Sequence, residues 1–286
     1  MVTETLSFEY QTSQIEAVGT AEAQRSVTLF PSVTDEVTEV NFVAGQRVEK
    51  GEVLLRLDSR LQTVAVERAQ IQLNEANRNL ERVKTSLAKG AVTQREVDDT
   101  ETQVKLARVN LQEALENKED RLVRAPFSGI VGLTNVEVGD RVTPQTAITT
   151  LDKRNALFIN FVAPELAVNY LLQKPQVTLQ PWTDRETLLQ ANIAELDSRV
   201  NTQNRTIRAR ALLDNENDSF RPGMSFRVTL EVRGERYVAI PEAALSWGAN
   251  GAFVWLADSS GAQPLAKRVN VQVQQRLRGR ILVSGD

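Results

Sequence analysis

The stretch "SLAKGAVTQREVDD", residues 86–99, holds a single glycine, Gly90, between long runs free of glycine and proline. Upstream, from Ser59 to Lys89, small or apolar residues recur at Val66, Ala69, Leu73, Ala76, Leu80, Val83 and Leu87. Downstream they recur at Val97, Thr100, Val104, Ala107, Leu111 and Ala114. Alternating gaps of three and four mark a coiled-coil period, and most positions between are Glu, Gln, Asn, Lys or Arg. One narrow stripe per helix buries against one partner helix and is too little for a bundle.

The helix ends are marked as well. Ser59 and Gln62 have capping-box spacing at the first start, and Thr93 and Glu96 repeat it at the second. Gly90 stands where a left-handed residue stops the first helix. The link Lys89–Val92 is short, so the helices are expected to return antiparallel. About 30 residues per arm at about 1.5 Å each predict a rod about 45 Å long.

The segments on either side of this hairpin resemble each other. "VTEVNFVAGQRVEKGEVLLRLD" (37–58) aligns without gaps on "VGLTNVEVGDRVTPQTAITTLD" (131–152). The identities are Val37/Val131, Asn41/Asn135, Gly45/Gly139, Arg47/Arg141, Val48/Val142, Leu57/Leu151 and Asp58/Asp152. Each copy alternates short β-rich runs with a glycine turn. Neither is long enough to bury a core alone, so the two are expected to face each other in a small β-sandwich.

Composition removes several kinds of chemistry. The 286 residues contain no cysteine and no histidine, which excludes thiol nucleophiles, disulfides, thiolate or imidazole metal ligands and imidazole acid–base catalysis. A net charge of −3 gives no overall electrostatic reason to bind nucleic acid. Aromatics at 5% suit several small β modules and an elongated helical part. No apolar run reaches membrane-span length, and "MVTETLSFEY" has no apolar signal core, so an exported form would carry its leader or anchor outside this sequence.

The stretches "AGQRVEKGEVLLRLD" and "APFSGIVGLTNVEVGDRV" resemble the two halves of a biotinyl/lipoyl domain, with the helical hairpin in place of the turn that bears a carrier's modified lysine. That arrangement is similar to the periplasmic adaptor, or membrane fusion protein, family of RND-type tripartite efflux pumps. Residues 197–230, with "NRT" at 204–206 and "RPGM" at 221–224, look like the β-barrel domain of such adaptors. Residues 237–258 look like the opening of their membrane-proximal domain. Two departures stand out. Asp35 takes the place of Gly129, so a different turn is expected there. The chain ends at "LVSGD", inside the last stretch of resemblance, so that domain is expected to be partial.

The resemblance implies a mixed α and β, elongated multi-module architecture: an antiparallel coiled-coil hairpin (59–122) inserted in a lipoyl-like β-sandwich (25–58 and 123–153). A β-barrel domain (154–234, with part of the N-terminus) and a partial membrane-proximal domain (235–286, with 1–24) follow. It implies a non-enzymatic adaptor without cofactor or metal, periplasmic and attached to the inner membrane in its native form. It would link an inner-membrane RND transporter to an outer-membrane channel for multidrug efflux. Copies would self-associate weakly alone and form a ring, a hexamer, on assembly. Two rivals are an adaptor for an ABC-type exporter or type I secretion system, and a lipoyl or biotin carrier, which needs the missing lysine turn.

In the family the hairpin tip carries an arginine, a leucine four residues on and a serine seven beyond. Here Arg82 matches the arginine, Ser86 takes the leucine place with Leu87 next to it, and Thr93 takes the serine place. Arg82, Ser86, Leu87, Gly90 and Thr93 are thus the candidate partner contacts. Each has a structural alternative: Thr93 as a cap, Leu87 as seam packing, Gly90 as a helix stop, Arg82 as a solvated surface cation. Other motifs read as structure. Asn250–Gly251 in "WGANGAF" and Pro222–Gly223 signal turns. Asp98, Asp99 and Glu101 read as a solvated helix face, and two Asn-x-Ser/Thr matches are short patterns with many chance occurrences.

Overall fold

The computed structural model describes residues 3–173, 175–184, 186–249, 251–258 and 265–285. In chain order the strands are β1 (Ser7–Leu29), β2 (Asp35–Val40), β3 (Arg47–Val48) and β4 (Val53–Leu57), then helices α1 (Arg60–Ala88) and α2 (Gln94–Glu119). Strands β5 (Leu122–Arg124), β6 (Gly129–Val131), β7 (Arg141–Val142) and β8 (Thr149–Pro164) precede a short helix α3 (Val168–Leu171). The rest is strand: β9 (Gln176–Pro181), β10 (Leu189–Leu196), β11 (Thr206–Asp214), β12 (Ser225–Pro241), β13 (Ser246–Gly248), β14 (Gly251–Asp258), β15 (Leu265–Leu277) and β16 (Arg280–Gly285). The chain divides into two compact units, residues 23–156 with 215–221, and residues 1–22, 157–214 and 222–286.

In the first unit the two repeats are brought together by a pseudo-twofold arrangement. Gly45 N–H donates to Val131 O and Gly139 N–H to Val37 O, each at 2.9 Å. The return bonds match: Val37 N–H to Asp140 O at 2.8 Å and Val131 N–H to Gln46 O at 3.0 Å. Strand β3 pairs with β6 (Arg47↔Ile130, Val48↔Gly129) as β7 pairs with β2 (Arg141↔Glu36, Val142↔Asp35). Every one of these pairs maps onto its counterpart at the offset of the sequence repeat. The repeat's apolar identities, Val37/Val131, Val48/Val142 and Leu57/Leu151, all lie in one buried core with Leu54, Leu55, Phe42 and Ile148. Gly45 and Gly139 are identical because both turns need positive φ, +82° and +96°. A different turn was expected at Asp35, but the pairing there is the same as at Gly129. What differs is the close approach: a Cβ on Gly129 would lie 2.7 Å from Asp152 O, whereas Asp35 turns its carboxylate back to accept from Glu36 N at 3.0 Å.

Strands β4 and β5 pair antiparallel (Leu55↔Val123, Arg56↔Leu122), and the helices leave and re-enter between them. Helices α1 and α2 run antiparallel, with Leu80, Val97 and Val104 buried and Leu73, Ala76, Val83 and Leu87 packed against them. All the stripe positions are buried or half-buried. The first capping box does not form. Ser59 is the N-cap position but makes no side-chain cap hydrogen bond, its backbone standing at φ −121° and ψ 16° and not in the extended cap conformation; Asp58 instead binds the first helical residue. Its carboxylate accepts from Arg60 N at 3.0 Å and from the Arg60 guanidinium. Gln62 is drawn away to Arg121, whose Nη2 donates to its amide oxygen at 2.8 Å.

The loop 215–221 packs into this same unit. Asn215, buried, donates through Nδ2 to Arg154 O and Phe220 O, at 2.8 and 2.9 Å, and accepts from Phe220 N. Arg154 holds Asp218 through two bonds of 2.6 and 2.7 Å.

In the second unit, β1, β12, β9, β10, β11 and β8 pair in a closed ring. Alternate residues point inward, as in β11, where Ile207, Ala209, Ala211 and Leu213 are buried and their neighbours are exposed or half-buried. Phe226, Leu179, Ile159 and Leu230 fill the interior. Strand β1 pairs with β12 on both sides of a bulge. Thr12–Thr20 pairs with Ser225–Arg233 in the ring, and Ser7–Tyr10 pairs with Arg236–Ala239 beyond the bulge. The bulge thus falls within one continuous pairing of β1 with β12. Past it, β12, β16, β15, β14 and β13 continue antiparallel around a small core of Ile240, Val254, Ile281 and Val283. Asn250 lies outside the described residues; Gly248 and Gly251 pair on either side of it.

Candidate functional site: the hairpin tip

The turn joining α1 to α2 is fixed by backbone bonds. Gly90 has φ +72°. Its N–H donates to Leu87 O at 2.8 Å, and Ala91 N–H donates to Ser86 O at 3.0 Å. This pair of bonds is the Schellman closure, in which a left-handed glycine lets two carbonyls of the last turn find donors. Three residues later the second helix starts on Thr93, which is extended at φ −92° and ψ 159°. Thr93 Oγ1 accepts from Glu96 N at 3.4 Å, and Glu96 Oε2 accepts from Thr93 N at 3.0 Å and from Thr93 Oγ1 at 3.3 Å. The reciprocal box expected here is formed.

This geometry sorts the five candidate residues. Leu87 is half-buried on the seam against the Leu80–Val97–Val104 cluster. Ser86 is half-buried and its carbonyl is occupied by the turn. Gly90 is exposed and ends the helix. Thr93 is exposed, but its single hydroxyl proton already goes to Glu96. A partner can reach only the remaining lone pair and the methyl group. Arg82 is exposed and off the seam. It donates to Asn79 Oδ1 at 3.3 Å and meets no carboxylate among the described residues. Lys89 and Arg95 were not singled out from sequence. Both are exposed near the turn and likewise lack a carboxylate partner among the described residues. Lys84, by contrast, is held by Glu101 at 3.0 Å across the helices. Asp98 accepts from Gln94 and Thr102, and makes no cluster with metal-binding geometry among the described residues.

At the other end the hairpin is tied to the sandwich. Leu57 N–H donates to Arg121 O at 2.8 Å and Asp58 N–H to Glu36 O at 2.9 Å. The Arg121 guanidinium, largely buried, sits between Gln62 and the Asp35 carboxylate, 4.0 Å away. The Arg60 guanidinium holds the Asp58 carboxyl below its ordinary range. No local motif announces this network, because its members come from three separate segments.

Residues 25–151 match the RND membrane fusion protein barrel-sandwich hybrid domain, and residues 157–234 match the CusB-like β-barrel domain. The multidrug resistance protein MdtA of Yersinia pestis (strain Pestoides F) is 27% identical over 270 residues, covering 85% of this chain and 61% of the relative. MdtA of Yersinia enterocolitica is 26% identical, covering 83% and 60%. The chain thus spans about three-fifths of the length of these relatives. Among solved structures, a MacA–MexA chimera carrying the Pseudomonas aeruginosa MexA α-hairpin matches with a TM-score of 0.70 at 20% identity, covering 96% of this chain and 93% of that one. A putative efflux transporter of Bacteroides eggerthii matches at 0.65 and 21%, covering 97% and 89%. These two likenesses speak to the fold. With both of its domain matches in the same order as its two observed β modules, the protein belongs to the membrane fusion protein family of RND-type efflux systems.

Proposed function

We propose that the protein is a periplasmic adaptor that joins an inner-membrane RND transporter to an outer-membrane channel and contributes to multidrug efflux without catalysing a reaction. One observation carries the reading: a paired helical hairpin emerges between β4 and β5, where a carrier domain would display its modified lysine on a tight turn. A rigid arm at that place presents a surface, not a prosthetic group. The hairpin (59–122) acts as an antiparallel coiled coil. It is inserted in the sandwich (25–58 and 123–153), and the barrel (154–234) and the membrane-proximal part (235–286, with the start of β1) complete the order of modules.

The tip meets the channel through Arg82, Gly90 and the exposed side of Thr93, while Ser86 and Leu87 shape the turn. Such a tip is small against the roughly 1,200–2,000 Å² of a standard stable interface. A ring of copies, six in the assembled pump, would multiply it without any single contact being tight. The support comes from the family match and from Arg82, an exposed cation without a carboxylate partner among the described residues.

The chain has no cysteine, so single cysteines can be placed freely. In cells, Arg82→Cys should crosslink to an outer-membrane channel and Arg276→Cys to an RND transporter. Capture of an ABC transporter by the second variant would overturn the pump assignment.

A further inference from the structure

The ribbon of β13, β14 and the start of β15 holds two of the chain's three tryptophans, and both are exposed: Trp247 at 66% and Trp255 at 57%. They lie on opposite faces. Trp247 pairs with Ala252, on the side of the Val254 core contact, while Trp255 shares the other side with Phe253, edge to face at 6.0 Å. Trp255 pairs with Arg268, whose guanidinium lies 3.9 Å from the Phe253 ring centre. Gly248 leaves room for this stack, since a Cβ there would meet Arg268 Nη2 at 3.0 Å. Lys267 is next in sequence. Neither cation pairs with a carboxylate among the described side chains, whereas Arg276 and Arg280 are taken up by Glu242 and Glu9. Residues 242–286 carry five Lys or Arg and three acids, in a chain of net charge −3.

We propose that this ribbon is a docking element for the anionic headgroup surface of a lipid bilayer. Tryptophan has an apolar body with one polar N–H and settles at the boundary between hydrocarbon and water. Lys267 and Arg268 add attraction to acidic lipid. Exposed indoles beside cations without a carboxylate partner among the described side chains favour a headgroup layer over a protein partner, since acidic headgroups supply the counter-charge without a complementary pocket.

The test uses the whole chain with Trp182→Phe, so that emission reports only Trp247 and Trp255. Vesicles of phosphatidylethanolamine with phosphatidylglycerol should blue-shift the emission and co-sediment the protein, and phosphatidylcholine vesicles should do neither. At roughly five-fold per cation, Lys267→Gln with Arg268→Gln should weaken partitioning on the order of 25-fold. Arg278→Gln, just past the far end of β15 and on the order of 30 Å away, should leave it within about two-fold. Trp255→Ala should weaken binding while the thermal midpoint stays unchanged. Failure of the parent chain to bind acidic vesicles at low salt would overturn the proposal. So would binding by the double variant equal to the parent. Free phosphate or glycerol phosphate shifting the emission as strongly as vesicles would also overturn it, by reducing the site to an anion contact.

Discussion

Thr93 is a candidate for two jobs at once, and its hydrogen bonds predict which one dominates. Its hydroxyl both accepts from Glu96 N and donates to the Glu96 carboxylate, so Thr93→Ala leaves the donor at the start of α2 without its partner. Loss of such a cap costs about 1 kcal/mol. Because the tip is the end of a two-helix arm, that cost should appear as local fraying and not as global unfolding. About 1 kcal/mol corresponds to about a five-fold rise in the opening of the first turn. Hydrogen exchange of a peptide covering 93–100 should therefore quicken by about that factor in Thr93→Ala, with the sandwich unaffected. Thr93→Ser and Thr93→Asn both keep a capping oxygen and should exchange within about two-fold of the parent. If efflux follows exchange across the three variants, Thr93 acts by holding the turn. Unchanged exchange in Thr93→Ala would refute the reasoning outright, since the reciprocal box would then contribute nothing.

Arg82→Asp should abolish efflux in cells with expression and thermal midpoint unchanged; normal drug susceptibility at normal expression would assign Arg82 to solvent only. Asp218 is held below the usual carboxylate range, chiefly by its hydrogen bonds from Arg154. A depressed folded-state value means that the contribution is present above the ordinary carboxylate pKa and is lost as pH falls through and below it. Protection of 215–221 against hydrogen exchange, taken relative to the intrinsic rate at each pH, should therefore fall in acid. Asp218→Asn should flatten that dependence, and an unflattened profile would remove Asp218 as its cause.

What could be read from sequence was what is local or repeated. The seam needed only the spacing of residues such as Leu73, Leu80 and Val104, because in a two-helix arm burial follows spacing directly. The second capping box was legible because Thr93 and Glu96 are three residues apart and nothing competes for them. The first box does not form because the Ser59 backbone is not extended as a cap requires and the distant Arg121 takes up Gln62. The split sandwich was legible because its identical glycines and valines occupy equivalent places about one axis. The bulge in β1 was not. A long strand alternates in the same way on both sides of its bulge, and the close approach of Gly234 to Gln11 at the bulge is set by contacts far apart in sequence. At the tip, position along the chain indicated five residues, but only the hydrogen-bond geometry separated the turn-formers from the exposed ones.

The point of insertion explains why a sandwich tolerates so long an arm. Leu55 and Arg56 pair with Val123 and Leu122 whether or not anything lies between them, and the bonds from Leu57 and Asp58 to Arg121 and Glu36 close the base. The ends of the insertion are therefore already adjacent, and the helices satisfy their own backbone and bury their own seam. Closure entropy depends only on the logarithm of length, about 0.6 kcal/mol per doubling even for a flexible loop. Arm length is thus set by what the tip must reach and not by what the sandwich can support. Contacts such as Lys84–Glu101 fix the register across the seam, so removal of 73–79 with 105–111 takes one heptad from each helix and rejoins the stripe in phase. The shortened protein should keep the sandwich's thermal midpoint within a degree or two while its helical circular dichroism falls in proportion to the residues lost. Its arm should be shorter by about 10 Å, and efflux should fail. A cooperative loss of sandwich stability would refute the claim that the two parts fold on separate terms, and retained efflux would refute the claim that reach is what the arm provides.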